Sequence, residues 1–102
     1  MEQMDLLSFK IISAVGTARS MYIEAIQEAK RSNFTAAQAL MDEGAQLFLQ
    51  GHAAHAGLIQ QEARGEKSEY SLLLMHAEDL LISAESFRIV AEEFIDLYKR
   101  LG

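Results

Sequence analysis

The 102-residue chain contains neither cysteine nor proline. Without cysteine there is no disulfide framework, no thiolate metal site and no cysteine nucleophile, which suits a reducing compartment. Basic residues are in short supply: nine Lys plus Arg stand against fifteen Asp plus Glu, a net charge of −6. Such a surface repels phosphate backbones and anionic lipid, so no nucleic-acid partner is expected. Long apolar runs are missing too, since none reaches the ~18 residues that span a bilayer. The opening MEQMDLLSFK places acid before base, unlike the positively charged start of a secretory signal. A cytoplasmic protein with no membrane insertion is the expectation.

Half of the residues are hydrophobic, enough for the core of one small domain, taken as residues 1–102. With no proline and scattered glycines, turn signals coincide in only two places, Lys30 to Thr35 and Gly65 to Ser68. They divide the chain into three similar parts. In the first, Leu7, Ile11, Ala14, Val15, Ala18, Tyr22, Ala25, Ile26 and Ala29 recur at steps of three and four, which predicts a helix from about Asp5 to Arg31. In the second, Thr35 with Gln38 resembles a capping box, Ala36, Leu40, Leu47, Leu58 and Ile59 suggest an apolar face, and Gly65 suits a C-terminal cap.

The third part is apolar over a wide arc. Ser68 or Ser71 can cap its start; one stripe runs Leu72, His76, Asp79, Ser83, Val90, Leu97, beside another of Leu73, Ala77, Leu80, Ala84, Phe87, Ala91, Phe94 and Tyr98. Short connections between helices of ~45 Å make neighbours antiparallel, so the predicted fold is an all-α, up-down-up three-helix bundle. An arc wider than one core needs implies that this helix also packs on copies of itself, giving a homo-oligomer.

His76 and Asp79 are three residues apart and share a helical face. A histidine held in one tautomer can accept a phosphoryl group, ligate a metal or shuttle a proton. A single histidine on an apolar helical face is more often a hydrogen-bonded core residue, and spacing leaves both readings open. In a symmetric assembly, one Asp79 per chain would meet its copies, and a shared metal ion or proton would relieve the repulsion.

The string LLLMHAEDLLISAE, preceded by FKIISAVGTARSMYIEAIQEAKRSNFTAAQALMDEG and followed by EFIDLYKR, resembles the IIA component of the lactose/cellobiose (N,N'-diacetylchitobiose) family of the bacterial phosphoenolpyruvate-dependent sugar phosphotransferase system. The likeness covers essentially the whole chain and is most specific from Leu72 to Asp79. It implies a homotrimer of three-helix protomers in which His76 takes a phosphoryl group from the phosphocarrier HPr and passes it to a cysteine of the sugar-specific IIB component, with IIC in the membrane. It further implies that Asp79 and its two symmetry mates surround a divalent metal ion at the trimer axis, expected to be Mg2+, and that the cargo is a β-linked disaccharide. One departure stands out: family members commonly carry His or Gln at the position of Leu80, which leaves open altered partner choice, a weaker site, or better apolar packing.

Other polar residues are weighed against packing. His52 and His55 in QGHAAHAG have a spacing that can hold a metal, but no third ligand is evident and the flanking Ala and Gly favour close helix packing. Gly16, amid SAVGTARS, marks either a close helix approach or a pocket wall near His76. Arg19 is read as pairing with an acidic surface neighbour or with the phosphate, Glu78 as facing solvent or a partner, and Met4, Met21, Met41 and Met75 as core filler. Two rivals remain at this point, a non-catalytic oligomeric bundle in which His76 and Asp79 satisfy each other, and a bundle in which both ligate one metal.

Overall fold

The computed structural model describes residues 3–67 and 71–102. Helix α1 spans Gln3–Lys30, α2 Phe34–Ala63 and α3 Leu72–Leu101, and the described residues contain no strand. The expected up-down-up bundle is therefore the observed fold. It measures 53 × 25 × 19 Å, so each helix runs nearly its full length. Helix α1 packs extensively on both others, whereas α2 and α3 share a much narrower contact.

The ends of α1 and α2 and the start of α3 are closed by local chemistry. At the end of α1 the Asn33 N–H donates to the Glu28 carbonyl at 2.9 Å and the Ser32 N–H to the Ala29 carbonyl at 3.0 Å. This Schellman pair needs a left-handed residue, and Ser32 supplies it with φ +66°. A Cβ is strained there, so Ser32→Gly should stabilise the protein by about 1 kcal/mol, read as a higher urea midpoint at unchanged slope. The same pattern ends α2, where Gly65 adopts φ +85° and the Glu66 N–H reaches the Gln61 carbonyl at 3.1 Å. At the start of α3 the Ser71 side chain accepts from the Leu74 N–H at 3.1 Å, as one of the two predicted caps should. The alternative, Ser68, lies outside the described residues.

The predicted capping box of α2 does not form. Thr35 is already inside the helix, Asn33 is the N-cap without a side-chain bond, and the Gln38 amide donates to Asp42 at 3.0 Å instead. Phe34 is half-buried and lies 5.9 Å from the Lys99 ammonium, an apolar anchor at this end of the helix that a polar-pattern search overlooks.

The inner face of α1 is the predicted one: Ile11, Ala14, Val15, Ala18, Tyr22, Ala25 and Ala29 are buried. On α2 the true seam is Ala37, Met41, Gly44, Phe48, Gly51 and Leu58, whereas the predicted Ala36 and Ile59 are exposed. Two of the seam positions are glycines. A Cβ on Gly44 would lie 2.7 Å from Tyr22 Cε1, and one on Gly51 would collide with Val15 Cγ1. These glycines let α1 and α2 approach closely, and the large Tyr22 ring fills the space that results. Burial pushes the Tyr22 phenol pKa up, against a smaller opposing pull from Arg88, so the hydroxyl stays protonated at neutral pH.

On α3 the buried residues are Leu74, Ala77, Leu81, Ala84, Ala91 and Ile95. Leu73, Leu80, Phe87 and Tyr98 from the predicted inner stripe are only half-buried, and Phe94 is exposed. The sequence pattern is apolar almost all the way round this helix, so periodicity alone does not select the side that meets α1.

Candidate functional site

The outward side of α3 carries a continuous apolar band. Met75, Ile82 and Ile89 recur at seven-residue steps, with Leu72, Val90 and Leu97 beside them, all exposed. Met75 therefore belongs to this band rather than to the core, as Met41 does. The predicted stripe from Leu72 through Asp79 to Leu97 runs along it, outside the protomer. Asp79 is exposed, with Met75 four residues before it and Ile82 three after, so its carboxylate sits in the middle of apolar neighbours. Exposed apolar rows of this length on a small protein mark a contact surface.

His76 is also exposed, one step round the helix at the α1 side of the band. Among the described residues no hydrogen bond or ion pair joins it to Asp79. The reading in which these two side chains merely satisfy each other thus has no support from their arrangement. An open imidazole on a rigid, capped helix can be approached by a macromolecular donor and can present a ring nitrogen as a nucleophile.

Helix α1 lines the same side of α3. Arg19 Nε donates to Ser83 Oγ at 2.9 Å, and its guanidinium carbon lies 4.5 Å above the Phe87 ring. Among the described residues Arg19 meets no acidic side chain, contrary to one of its two predicted pairings. It joins α1 to α3 through a hydroxyl and an aromatic face. Gly16 is opposite Leu80, whose Cδ2 would be 3.4 Å from an added Cβ. Gly16 thus admits the Leu80 side chain, and Leu80, where a polar residue is common in the resembling family, belongs to the α1–α3 packing.

On α2, His55 lies on the inner side between Gly51 and Leu58, and its Nε2 is 3.1 Å from Glu78 Oε2 on α3. Glu78 therefore bonds to the neighbouring helix, a pairing its solvent- or partner-facing reading does not include, while its side chain stays 38% exposed. The two residues are 23 apart in sequence, and no local pattern announces the pairing. His52 points elsewhere and stacks on Phe48 with centroids 5.9 Å apart. The two histidines of QGHAAHAG do not converge, and the described residues contain no group of three or more His, Cys, Asp or Glu suited to a metal ion. No described helix is long and apolar enough to cross a membrane.

Comparison with known proteins adds an independent line. Residues 6–99 match the family model described as PTS system, Lactose/Cellobiose specific IIA subunit. The lactose-specific EIIA component of Lactococcus lactis is 35% identical, over 97% of this chain and 94% of its own. The crystal structure of the PTS cellobiose-specific enzyme IIA from Bacillus anthracis superposes with a TM-score of 0.96 at 42% identity, covering 99% of this chain and 93% of that one. The IIA(chitobiose) of the Escherichia coli N,N'-diacetylchitobiose branch, solved in complex with HPr, gives a TM-score of 0.83 at 31% identity, covering 99% and 98%.

Proposed function

Because the chain belongs to the lactose/cellobiose-specific IIA family of the sugar phosphotransferase system, we propose that it is a cytoplasmic phosphocarrier in which His76 accepts a phosphoryl group from HPr and hands it to a cysteine of a IIB component. The observation that carries this reading is the open, unpaired imidazole of His76 on the outer side of α3.

The chemistry asks for positioning more than for elaborate catalysis. A ring nitrogen of His76 attacks the phosphorus of phosphohistidine on HPr in line; the phosphorus–nitrogen bond to the donor breaks and the donor imidazole leaves. In the second half a IIB thiolate attacks phospho-His76 and the imidazole of His76 is the leaving group. Both partners must dock over the same face in turn, so each interface is small and short-lived. The net charge of −6 favours a basic donor surface by steering the encounter. The relative solved with HPr makes that donor the natural candidate here. The sugar served is a β-linked disaccharide of the lactose, cellobiose or chitobiose class, by analogy with the relatives' names.

The apolar band of α3 is assigned to self-association as a homotrimer, which removes Met75, Ile82 and Ile89 from water. Asp79 forms no ion pair with any described residue, and one carboxylate is too few for a hard cation. Three copies meeting at the axis would supply a fitting oxygen donor set, so the three Asp79 carboxylates would hold a divalent ion, expected to be Mg2+. That ion would cancel their mutual repulsion and take no part in the transfer.

Incubation with phosphoenolpyruvate, enzyme I and HPr tests the carrier role. The protein should gain the mass of one phosphate on His76 and lose it when a cognate IIB is added; no gain in mass would overturn the assignment. The metal arrangement has its own test by sedimentation and metal analysis. Asp79→Ala, or a chelator, should remove the ion and loosen the trimer, while His76→Ala leaves both unchanged. Loss of the ion in His76→Ala alone would favour the rival in which His76 is a ligand.

A further inference from the structure

The contact between α2 and α3 is the thinnest in the bundle, and the imidazole of His55 sits within it. Its side chain is 17% exposed while that of its partner Glu78 is 38% exposed, so the imidazole is largely shielded and the carboxylate stays partly open to water. Their contact is a side-chain hydrogen bond that joins α2 directly to α3. Toward the other end of the bundle the Lys99 ammonium of α3 lies 5.9 Å from the Phe34 ring of α2.

The register places this bridge level with His76. Gly51 of α2 faces Val15 of α1, and Gly44 faces Tyr22, so His55 falls beside Ile11. Helix α3 runs alongside α1 with Leu80 opposite Gly16 and Ser83 opposite Arg19, so His76 falls beside Ile12. In the first turns of α3 Leu74 and Ala77 are buried, while Leu72, Met75, His76 and Asp79 are all exposed, so the bond from Glu78 is a polar tie of this turn to α2. Residues two apart on a helix face opposite ways, so the Glu78 carboxylate pulls the helix toward α2 while His76 is presented outward.

We propose that His55 is a positioning residue for phosphoryl transfer: by bridging to Glu78 it fixes the turn of α3 that carries His76, and so the placement of the acceptor nitrogen. It does not touch the phosphoryl group. The inference rests on His76 being the acceptor. An unsupported turn can still reach a docked donor, but in a spread of orientations, and in-line transfer is sensitive to displacements of about 1 Å.

The test compares His55→Ala, His55→Gln, Glu78→Ala and the double alanine variant of the full chain in phosphotransfer from phospho-HPr. His55→Ala should lower kcat roughly ten- to a hundred-fold with little change in KM for HPr, because the docking face is untouched. His55→Gln, whose amide can still donate to Glu78, should recover most of the rate. The double variant should be no slower than the slower single variant, as expected when two residues act as one unit. Circular dichroism and sedimentation identify any variant that fails to fold or assemble, and the Gln variant keeps the test decisive if the Ala variant fails. A wild-type rate in His55→Ala, a change confined to KM, or additive losses in the double variant would each overturn the positioning role. Absence of phosphate on His76 in the unaltered protein would instead overturn the carrier assignment on which it rests.

Discussion

His76→Ala is expected to accept no phosphate from phospho-HPr, a loss below detection rather than a reduced rate. The proposed acceptor imidazole is removed outright, and the other two histidines lie on α2, away from the outer side of α3. His55 has Nε2 engaged by Glu78 at 3.1 Å, and His52 is stacked on Phe48. The substitution should spare the fold, since His76 is exposed, bonds to no described residue, and surface changes of that kind usually move stability by less than about 0.5 kcal/mol. Mass spectrometry of the variant after the relay incubation, with circular dichroism on the same sample, separates lost chemistry from lost structure. Persistent labelling of a folded His76→Ala protein would mean that another residue is the acceptor.

Gly51→Val should bring the largest loss of stability. The new side chain would enter the space of Val15 Cγ1, with the Ile11 carbonyl 3.6 Å away, and both Ile11 and Val15 are fully buried. A β-branched residue at Gly51 and another at Val15 leave few rotamers by which to escape, so the helices must separate. Overpacking of this kind costs about 3 kcal/mol. That is a substantial share of the ~5–15 kcal/mol available to a small domain, and should lower the melting temperature by roughly 10–20 °C. Gly57→Ala supplies the contrast. Nothing lies within 4 Å of the position a Cβ would take there, so the better helix former should add about 0.5–1 kcal/mol. Equal or same-signed shifts in the two variants would contradict the glycine-mediated contact between α1 and α2.

The three-helix division was legible from the absence of proline and two clusters of turn residues, and the face of α1 from apolar steps of three and four. Those signals are local. A helix stops where Ser32 or Gly65 takes a left-handed conformation, and from Ile11 to Ala29 the apolar steps of α1 coincide with its buried face. His76 and Asp79 drew notice because polar groups interrupt an apolar stripe, a cost that demands a reason.

The working face of α2 escaped because its key residues, Gly44 and Gly51, carry no apolar side chain for a periodicity to register. Leucine positions pulled the expected face one residue away. On α3 the difficulty was the reverse: apolar residues on nearly every side gave two competing stripes, and only packing against the other two helices chose Leu74, Leu81 and Ile95 for the interior. That choice also turned Asp79 and Met75 outward.

By itself the amino-acid order determined that there are three helices, roughly where the chain turns between them, and that His76 and Asp79 share one helical face, because these depend on neighbours within a few positions. Tertiary packing alone decided which side of α3 meets solvent, that Arg19 reaches Ser83 and Phe87 rather than an acid, and that His55 finds Glu78. Those pairings join residues far apart in the chain, and their geometry is set by how closely the glycines allow the helices to approach.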